Sequence, residues 1–313
     1  MNWFWLSLLT ILFWSFGDLS CKSTSDENDK LSHWRIVISV GTVMGIQSIV
    51  LVLIDAFSKE PTDPFNAVDI ITYLPVSACY IASMIIGYVG LRYLAVSIAS
   101  PVSNTSGALT FVLLIIFGQF SEIDGWQIAG TVAITFGVVM LAIVEQKLDK
   151  KEMALRGEKI DKKYTHGALA LMFPLLYCVI DTLGTFGDGM VLDEWGIMSE
   201  KSVLIAYGFT FMAMAIFAVI YIKFIKKQNI FIGKQSWKMV LPGVCETAGQ
   251  NFYTYAMSDN AHGAAPMISC YCLFSLLWGR IFLKEKLNKW QYISIAIAFV
   301  GIMFFGISEG IAG

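Results

Sequence analysis

The stretch EQKLDKKEMALRGEKIDKKYT, from Glu145 to Thr165, contains seven Lys or Arg residues and five Asp or Glu residues. It lies near the middle of a 313-residue chain that is 56% hydrophobic and only 15% charged. Soluble domains are close to half apolar and about one quarter charged, so this composition predicts an integral membrane protein. The charged stretch therefore separates two apolar halves.

Ten apolar segments are each long enough for a membrane-spanning helix, which needs about 20 residues. Helices are expected because a backbone within lipid must satisfy its polar groups inside the segment. The predicted fold is an all-α integral membrane protein with ten transmembrane helices. The predicted spans are residues 2–20, 35–57, 69–93, 96–119, 125–145, 166–188, 202–224, 238–257, 262–283 and 290–308.

The second half of the chain repeats features of the first half in the same order. The motif GWQIAG at Gly125–Gly130 matches KWQYIS at Lys289–Ser294, and Pro101 corresponds to Pro266. Five spans in each half require the second half to enter the membrane from the opposite side, an inverted repeat that many secondary transporters use. We predict one five-helix repeat at residues 1–145, a charged linker at residues 146–165 and a second five-helix repeat at residues 166–313.

Positive charge is distributed unevenly between the two predicted membrane faces. Of the 22 Lys and Arg residues, all except Lys59 and Lys201 lie in or beside the loops that follow odd-numbered spans. Basic residues concentrate on the cytoplasmic side of short loops. We therefore predict a multi-pass plasma-membrane protein with a cytoplasmic central linker and with both termini outside the cell.

Several short motifs resemble the drug/metabolite transporter superfamily, in its EamA-type branch. They are LFWSFGD at the end of span 1, the Pro-bearing starts of spans 4 and 9, and the turns QFSEIDGWQ and FLKEKLNKWQ before spans 5 and 10. The resemblance implies a solute carrier whose central cavity is lined by spans 1–4 and 6–9, with spans 5 and 10 at the periphery. Many family members have both termini in the cytoplasm. The Lys and Arg bias of this chain predicts the opposite orientation.

Two acidic residues inside predicted spans are candidates for a functional role. A charged side chain within a bilayer costs about 2.5–3.5 kcal/mol on insertion scales and usually faces a cavity or a partner. Asp18 and Asp181 hold equivalent positions in the two halves, each four residues after an aromatic residue, Trp14 or Tyr177. Such a carboxylate can bind a cation beside the ring, or it can carry a proton. The alternative is a structural hydrogen bond or an ion pair, for example with Arg92.

Span 8 carries a polar stripe at helical spacing, formed by Glu246, Gln250 and Tyr253. The position in span 3 that aligns with Glu246 is near Tyr80, so the acid breaks the symmetry of the repeat. These four residues are candidates for binding an asymmetric solute. The alternative is a hydrogen-bond network between packed helices.

Spans 4 and 9 present a second matched face of small and polar residues, which in membrane helices most often indicates close packing. Asn104 and Ser269 lie deep enough in these spans to contact a solute. Pro101 and Pro266 each free a backbone carbonyl and are candidate hinges. His262 could titrate near neutral pH, although a solvated or hydrogen-bonded His is the alternative for a residue so close to a span end.

These features favour a secondary active transporter for a small polar metabolite, with a leaning to cationic or zwitterionic solutes. Proton coupling would use Asp18, Asp181, Glu246 or His262. We expect the partners to be the solute, the lipid bilayer and protons, with no cofactor, metal, nucleic acid or enzymatic activity. A flippase for a lipid-linked group is the main alternative. A membrane-embedded enzyme is another, although the three His residues are scattered along the chain.

Overall fold

The computed structural model describes residues 2–24, 31–58, 64–90, 103–118, 123–156, 167–230, 238–282, 284 and 286–312. Within these residues the protein contains ten α-helices and no strand, which confirms the prediction of an all-α membrane protein. The helices are α1 (Trp3–Thr24), α2 (Ser32–Phe57), α3 (Ala67–Gly90), α4 (Ser106–Phe117), α5 (Gly125–Arg156), α6 (Gly167–Gly189), α7 (Glu200–Ile220), α8 (Val240–Ile268), α9 (Tyr271–Phe282) and α10 (Lys289–Ala312). Short π-helical turns extend α6 over Met190–Glu194 and α7 over Tyr221–Ile225.

The described helices do not all have the full length of a membrane span. Seven of them (α1, α2, α3, α5, α6, α7 and α10) are long and apolar enough to cross a membrane. α8 and α9 satisfy the same criterion together as a broken pair, and α4 is a shorter apolar helix of 12 residues. Residues 91–102, which include the predicted end of span 3 and the first residues of predicted span 4, lie outside the described part of the chain.

α8 contains a reversal of chain direction at Asn260, whose φ of −162° and ψ of 91° are not helical. Residues on both sides of this point contact the same helix. Trp14 on α1 bonds to Glu246, and the nearby Asp18 bonds to Ser275. Asp259 lies between Glu246 and Ser275 in sequence, but it accepts a bond from Trp3 at the start of α1. The chain therefore runs along α1 toward its start, turns near Asn260 and runs back. This position falls between predicted spans 8 and 9.

The helices pack in pairs that match between the two halves. α1 packs against α8, and α3 packs against α6. The two pairs are equivalent and exchange with each other, because helices five apart, such as α1 and α6 or α3 and α8, hold the same position in the two repeats. The same exchange relates α1–α9 to α4–α6 and α2–α8 to α3–α7. α2–α7 and α5–α10 each map onto themselves. α5 and α10 form a pair at the edge, whereas the other helices surround a common interior.

Glycine allows the backbones of α2 and α7 to approach closely. A Cβ atom at Gly208 on α7 would lie 2.6 Å from the Met44 carbonyl oxygen on α2, and would also meet the Ser48 hydroxyl. On the other side of the contact, a Cβ atom at Gly41 would meet the carbonyl of Phe211. Small residues are the usual means of close helix packing in membranes. α2 and α7 are therefore held together by backbone proximity as well as by apolar side chains.

Polar contacts connect one set of helix ends from both halves of the chain, and we call this side the terminal face. It includes both ends of the chain, since Asn2 donates a hydrogen bond to Glu309 at 2.6 Å. Other bonds of this face are Lys201–Asp55 at 2.8 Å, Ser258–Glu200 at 2.7 Å, Ser202–Asp69 at 2.9 Å and Ser308–Asp124 at 2.7 Å. The opposite side, which includes the end of α5 at Arg156, is the linker face.

Candidate solute site

Three acidic residues from three helices approach one another inside the helix bundle. Asp18 belongs to α1, Asp181 to α6 and Glu246 to α8. Asp18 and Asp181 each lie close enough to Glu246 for their charges to interact. Among the described residues, none of the three forms an ion pair with Lys or Arg, and Arg92 lies outside the described part. Carboxyl groups without a basic partner attract cations when they are ionised.

Asp18 is the most accessible of the three acids, because its side chain is exposed. Its Oδ2 atom lies 3.2 Å from the Ser275 hydroxyl on α9. The same hydroxyl also lies 3.2 Å from the Ser15 carbonyl, and Trp278 Nε1 donates to the Ser15 hydroxyl at 2.8 Å. A carboxylate can accept about four hydrogen bonds, so Asp18 has capacity left for a solute.

Asp181 has a similar arrangement in the second half of the molecule. Its Oδ1 atom lies 3.4 Å from the Ser83 hydroxyl of α3, and Ser106, the first residue of α4, also hydrogen-bonds to it. Asp181 thus contacts the short helix α4 as Asp18 contacts the short helix α9. Its side chain is half-buried, in contrast with that of Asp18.

Aromatic rings line the space beside these acids. The Trp14 ring lies 5.2 Å from the Tyr253 ring and 5.9 Å from the Tyr271 ring, measured between centroids. Trp14 Nε1 donates to the Glu246 carbonyl at 3.3 Å. Gly249 provides the room for this ring, because a Cβ atom there would collide with it. We call the group formed by Trp14, Asp18, Asp181 and Glu246 the acidic crevice.

Tyr177, the predicted counterpart of Trp14, is half-buried one turn before Asp181 on α6. It lies close enough to Tyr271 for an electrostatic interaction. Tyr271 therefore adjoins both aromatic residues that the sequence placed beside the acids. The sequence did not single out Tyr271, although it follows the predicted deep position Ser269 by only two residues.

A buried carboxylate, Asp188, accepts hydrogen bonds from three tyrosine hydroxyls. Tyr73 donates to Oδ1 at 2.6 Å, while Tyr80 and Tyr253 lie 2.7 Å and 3.0 Å from Oδ2. The hydroxyls of Tyr80 and Tyr253 are also 2.9 Å apart. We call these four residues the tyrosine cluster. Asp188 itself is fully buried, at 0% exposed.

Tyr207 on α7 closes the side of the tyrosine cluster. Its ring packs edge-on against Tyr80 at 5.7 Å and against Tyr73 at 6.2 Å. Tyr207 also lines a small cavity between α2, α7 and α8, together with Gln47 and Gln250. Gln250 therefore faces this neighbouring cavity and bonds only weakly to Thr254, at 3.5 Å. The three residues of the predicted stripe on α8 therefore do not face one site. Glu246 faces the acidic crevice, and Tyr253 belongs to the tyrosine cluster.

The short helices α4 and α9 follow interruptions at matched positions. Residues 104–105 and residues 269–270 are turns, and the 12-residue helices Ser106–Phe117 and Tyr271–Phe282 begin immediately after them. Pro266 precedes the second turn, where the Ser269 hydroxyl donates to its carbonyl at 2.6 Å. Its counterpart Pro101 lies outside the described residues. The predicted span over residues 262–283 is thus interrupted at this turn, three residues after the candidate hinge Pro266.

Packing accounts for much of the matched face of spans 4 and 9. A Cβ atom at Gly107 would lie 2.7 Å from both the Ala265 carbonyl oxygen and the Ser269 Cβ atom. Asn104 is buried. Ser269, one of the two residues predicted to contact a solute, is therefore in close contact with Gly107. Helix packing was the alternative explanation for this face.

His262 lies near the terminal face and is buried, not solvated. Its Nε2 atom is 3.4 Å from Glu194 Oε1, and both side chains are at least nine-tenths buried. The π-helical turn after α6 carries Glu194 and also Asp193, which accepts a bond from the Ala261 amide at 2.8 Å. His262 does not reach the acidic crevice, and it instead belongs to the contacts that close the terminal face.

The site offers solute-binding groups more readily than metal ligands. In the part of the chain that the structure describes, no three His, Cys, Asp or Glu residues are grouped to hold a metal ion. The six cysteines are free thiols. What the crevice provides is unpaired carboxylates beside aromatic faces.

Comparisons with known proteins agree with this architecture. Residues 195–307 match the EamA-like transporter family. A solved structure, described only as "Crystal structure of protein", superposes with a TM-score of 0.69 at 14% sequence identity, and the match covers 96% of this chain and 95% of the other. At that identity the likeness concerns the fold alone. None of the curated proteins compared with this chain matches it.

Proposed function

From the match of residues 195–307 to the EamA-like transporter family, which supports a membrane transporter of the drug/metabolite type, we propose a more specific activity. The protein is a secondary active transporter for a small polar solute that carries a positive charge. The solute binds in the acidic crevice, where the carboxyl groups of Asp18 and Asp181 lie near that of Glu246 and the Trp14 ring donates to the Glu246 carbonyl. The observation that carries the proposal is the carboxylate of Asp18, which is exposed and can accept further hydrogen bonds.

The two halves of the chain would move against each other as inverted repeats during alternating access. The matched helix pairs and the matched turns before α4 and α9 support an inverted repeat. Positive charge in the loops after odd-numbered spans supports a cytoplasmic linker face. A reporter fused to the C-terminus tests the orientation, and a cytoplasmic signal would contradict it.

The acidic crevice also supports coupling to protons. A carboxylate that binds a cation in one state can bind a proton in the other, so a solute and protons would exchange at the same acids. Glu246 lies near both Asp18 and Asp181. Its neutral variant Glu246→Gln is therefore expected to reduce the dependence of uptake on a proton gradient.

The direct test is uptake into proteoliposomes across a panel of amines, amino acids, sugars and nucleosides, with and without a proton gradient. Asp18→Asn and Asp181→Asn remove the charge and keep the size, so each is expected to lower uptake of the transported cation at least tenfold. Asp259→Asn is the matched control, because asparagine can still accept the Trp3 amide bond that Asp259 accepts at 2.7 Å.

Three results would contradict the proposal. The first is the absence of flux for every class of solute in the panel. The second is flux of a solute that the double variant Asp18→Asn/Asp181→Asn leaves unchanged. Uptake restricted to anionic or neutral solutes would likewise exclude a cation site in the crevice.

A further inference from the structure

The tyrosine cluster lies nearer to the terminal face than the acidic crevice does, on both helices (α6 and α8) that contribute to the two sites. Asp188 follows Asp181 by seven residues on α6, and Tyr253 follows Glu246 by seven residues on α8. Two helical turns correspond to about 10 Å. In both cases the step leads toward the terminal face. The side chain of Asp18 is exposed. In the tyrosine cluster, by contrast, Tyr73 and Asp188 are 0% exposed and Tyr253 is 4% exposed.

The cluster also joins the two halves of the chain. Tyr73 and Tyr80 belong to α3 in the first half, whereas Asp188 and Tyr253 belong to α6 and α8 in the second half. Access from the terminal face between α3, α6 and α8 requires these bonds to break.

The hydrogen bonds of Asp188 leave little capacity for a solute. Three hydroxyl donors from Tyr73, Tyr80 and Tyr253 already bind the carboxylate within 3.0 Å. Each tyrosine has a single proton to donate, so the protons of the cluster are used within it. Asp18, with one hydroxyl at 3.2 Å and an exposed side chain, is in the opposite situation.

We propose that the tyrosine cluster is the terminal-face gate of the transport path, and that Asp188 closes this path instead of binding the solute. The inference rests on the proposed transport function. Bonds between hydroxyls and a buried carboxylate across the two halves hold the gate shut in the state seen here. They separate when α3 moves away from α6 and α8.

The test measures the distance across the gate directly. Spin labels are placed at Val68 and Ile197, which are 57% exposed each, in a variant whose six native cysteines are replaced. Val68 reports the start of α3 and Ile197 the chain after α6. Tyr73→Phe and Tyr253→Phe each remove one hydroxyl and keep the ring. Losing one bond to a charged group shifts the ratio of open to closed molecules by about tenfold or more, so a longer distance component is expected to appear.

Tyr255→Phe is the matched control, because Tyr255 is exposed on the same helix as Tyr253 and is expected to leave the distances unchanged. Unchanged distances in both Tyr73→Phe and Tyr253→Phe would overturn the gate. Loss of uptake in Asp188→Asn without any change in distance would also overturn it, because that result assigns Asp188 to the solute or to a proton. The distance measurement needs no solute, so failure of the proposed function would appear separately, as the absence of uptake by the unmodified protein.

Discussion

Replacing Gly208 with alanine tests how closely the two halves depend on the contact between α2 and α7. The new Cβ atom would lie 2.6 Å from the Met44 carbonyl oxygen, whereas a carbon–oxygen contact is comfortable at about 3.3 Å. The helices must therefore separate by roughly 0.7 Å at this point. That movement also disturbs the Ser48 hydroxyl, which lies 3.4 Å from the Leu204 carbonyl.

Overpacking of a well-packed contact costs about 1–3 kcal/mol, and the better helix propensity of alanine returns at most about 1 kcal/mol. We expect Gly208→Ala to lower the free energy of unfolding by about 1–2 kcal/mol, measured by titration with a denaturing detergent. Gly310→Ala is the control, since no atom lies within 4 Å of its added Cβ, and it should be neutral or slightly stabilising. Equal or greater stability of Gly208→Ala would refute the reasoning.

Two further predictions concern single contacts. Gly249→Ala displaces the Trp14 ring from the crevice, so the KM of uptake should rise at least several-fold while the maximal rate changes less. Gly125→Ala, with no atom within 4 Å, should leave KM unchanged. Lys201→Met leaves Asp55 without its ion-pair partner, so it should destabilise the protein by about 1–3 kcal/mol. The double variant Lys201→Met/Asp55→Leu should recover part of that loss, and a double variant less stable than Lys201→Met alone would contradict this account.

Hydropathy predicted the helices because lipid allows few alternatives. A backbone surrounded by hydrocarbon must bond within its own segment, so runs such as Ile36–Ile54 specify both the helix and its approximate length. The motif match between Gly125–Gly130 and Lys289–Ser294 falls on α5 and α10, which pack together. Apolar content and repeated motifs were therefore sufficient for the class of fold.

Interruptions within helices could not be predicted from the same signal. The turns at residues 104–105 and 269–270 consist of Asn, Thr, Ser and Cys, and hydropathy averaged over a long apolar span does not reveal such short polar steps. Pro266 indicated a weak point, but a proline alone does not distinguish a bend from a break. Whether a helix breaks there depends on neighbours such as Gly107, which packs against the turn.

The acids of the site were predictable one by one, and their partners were not. Asp18, Asp181 and Glu246 stand out because charge is rare within spans. Nothing in the spacing of Tyr73, Tyr80 and Tyr253 shows that one carboxylate receives all three hydroxyls. The one available signal was the two-turn step from Asp181 to Asp188, which places both acids on one face of α6.

The length of α5 has a practical consequence. Its 32 residues, Gly125–Arg156, extend into the stretch predicted as the linker. At 1.5 Å per residue the helix is about 48 Å long, whereas the hydrocarbon layer is about 30 Å thick. The final turns therefore project beyond the bilayer as a continuation of α5, which packs against α10. A helical marker protein fused in register with Arg156 would move as one body with α5, which would give a small membrane protein the external feature that particle alignment in electron microscopy requires.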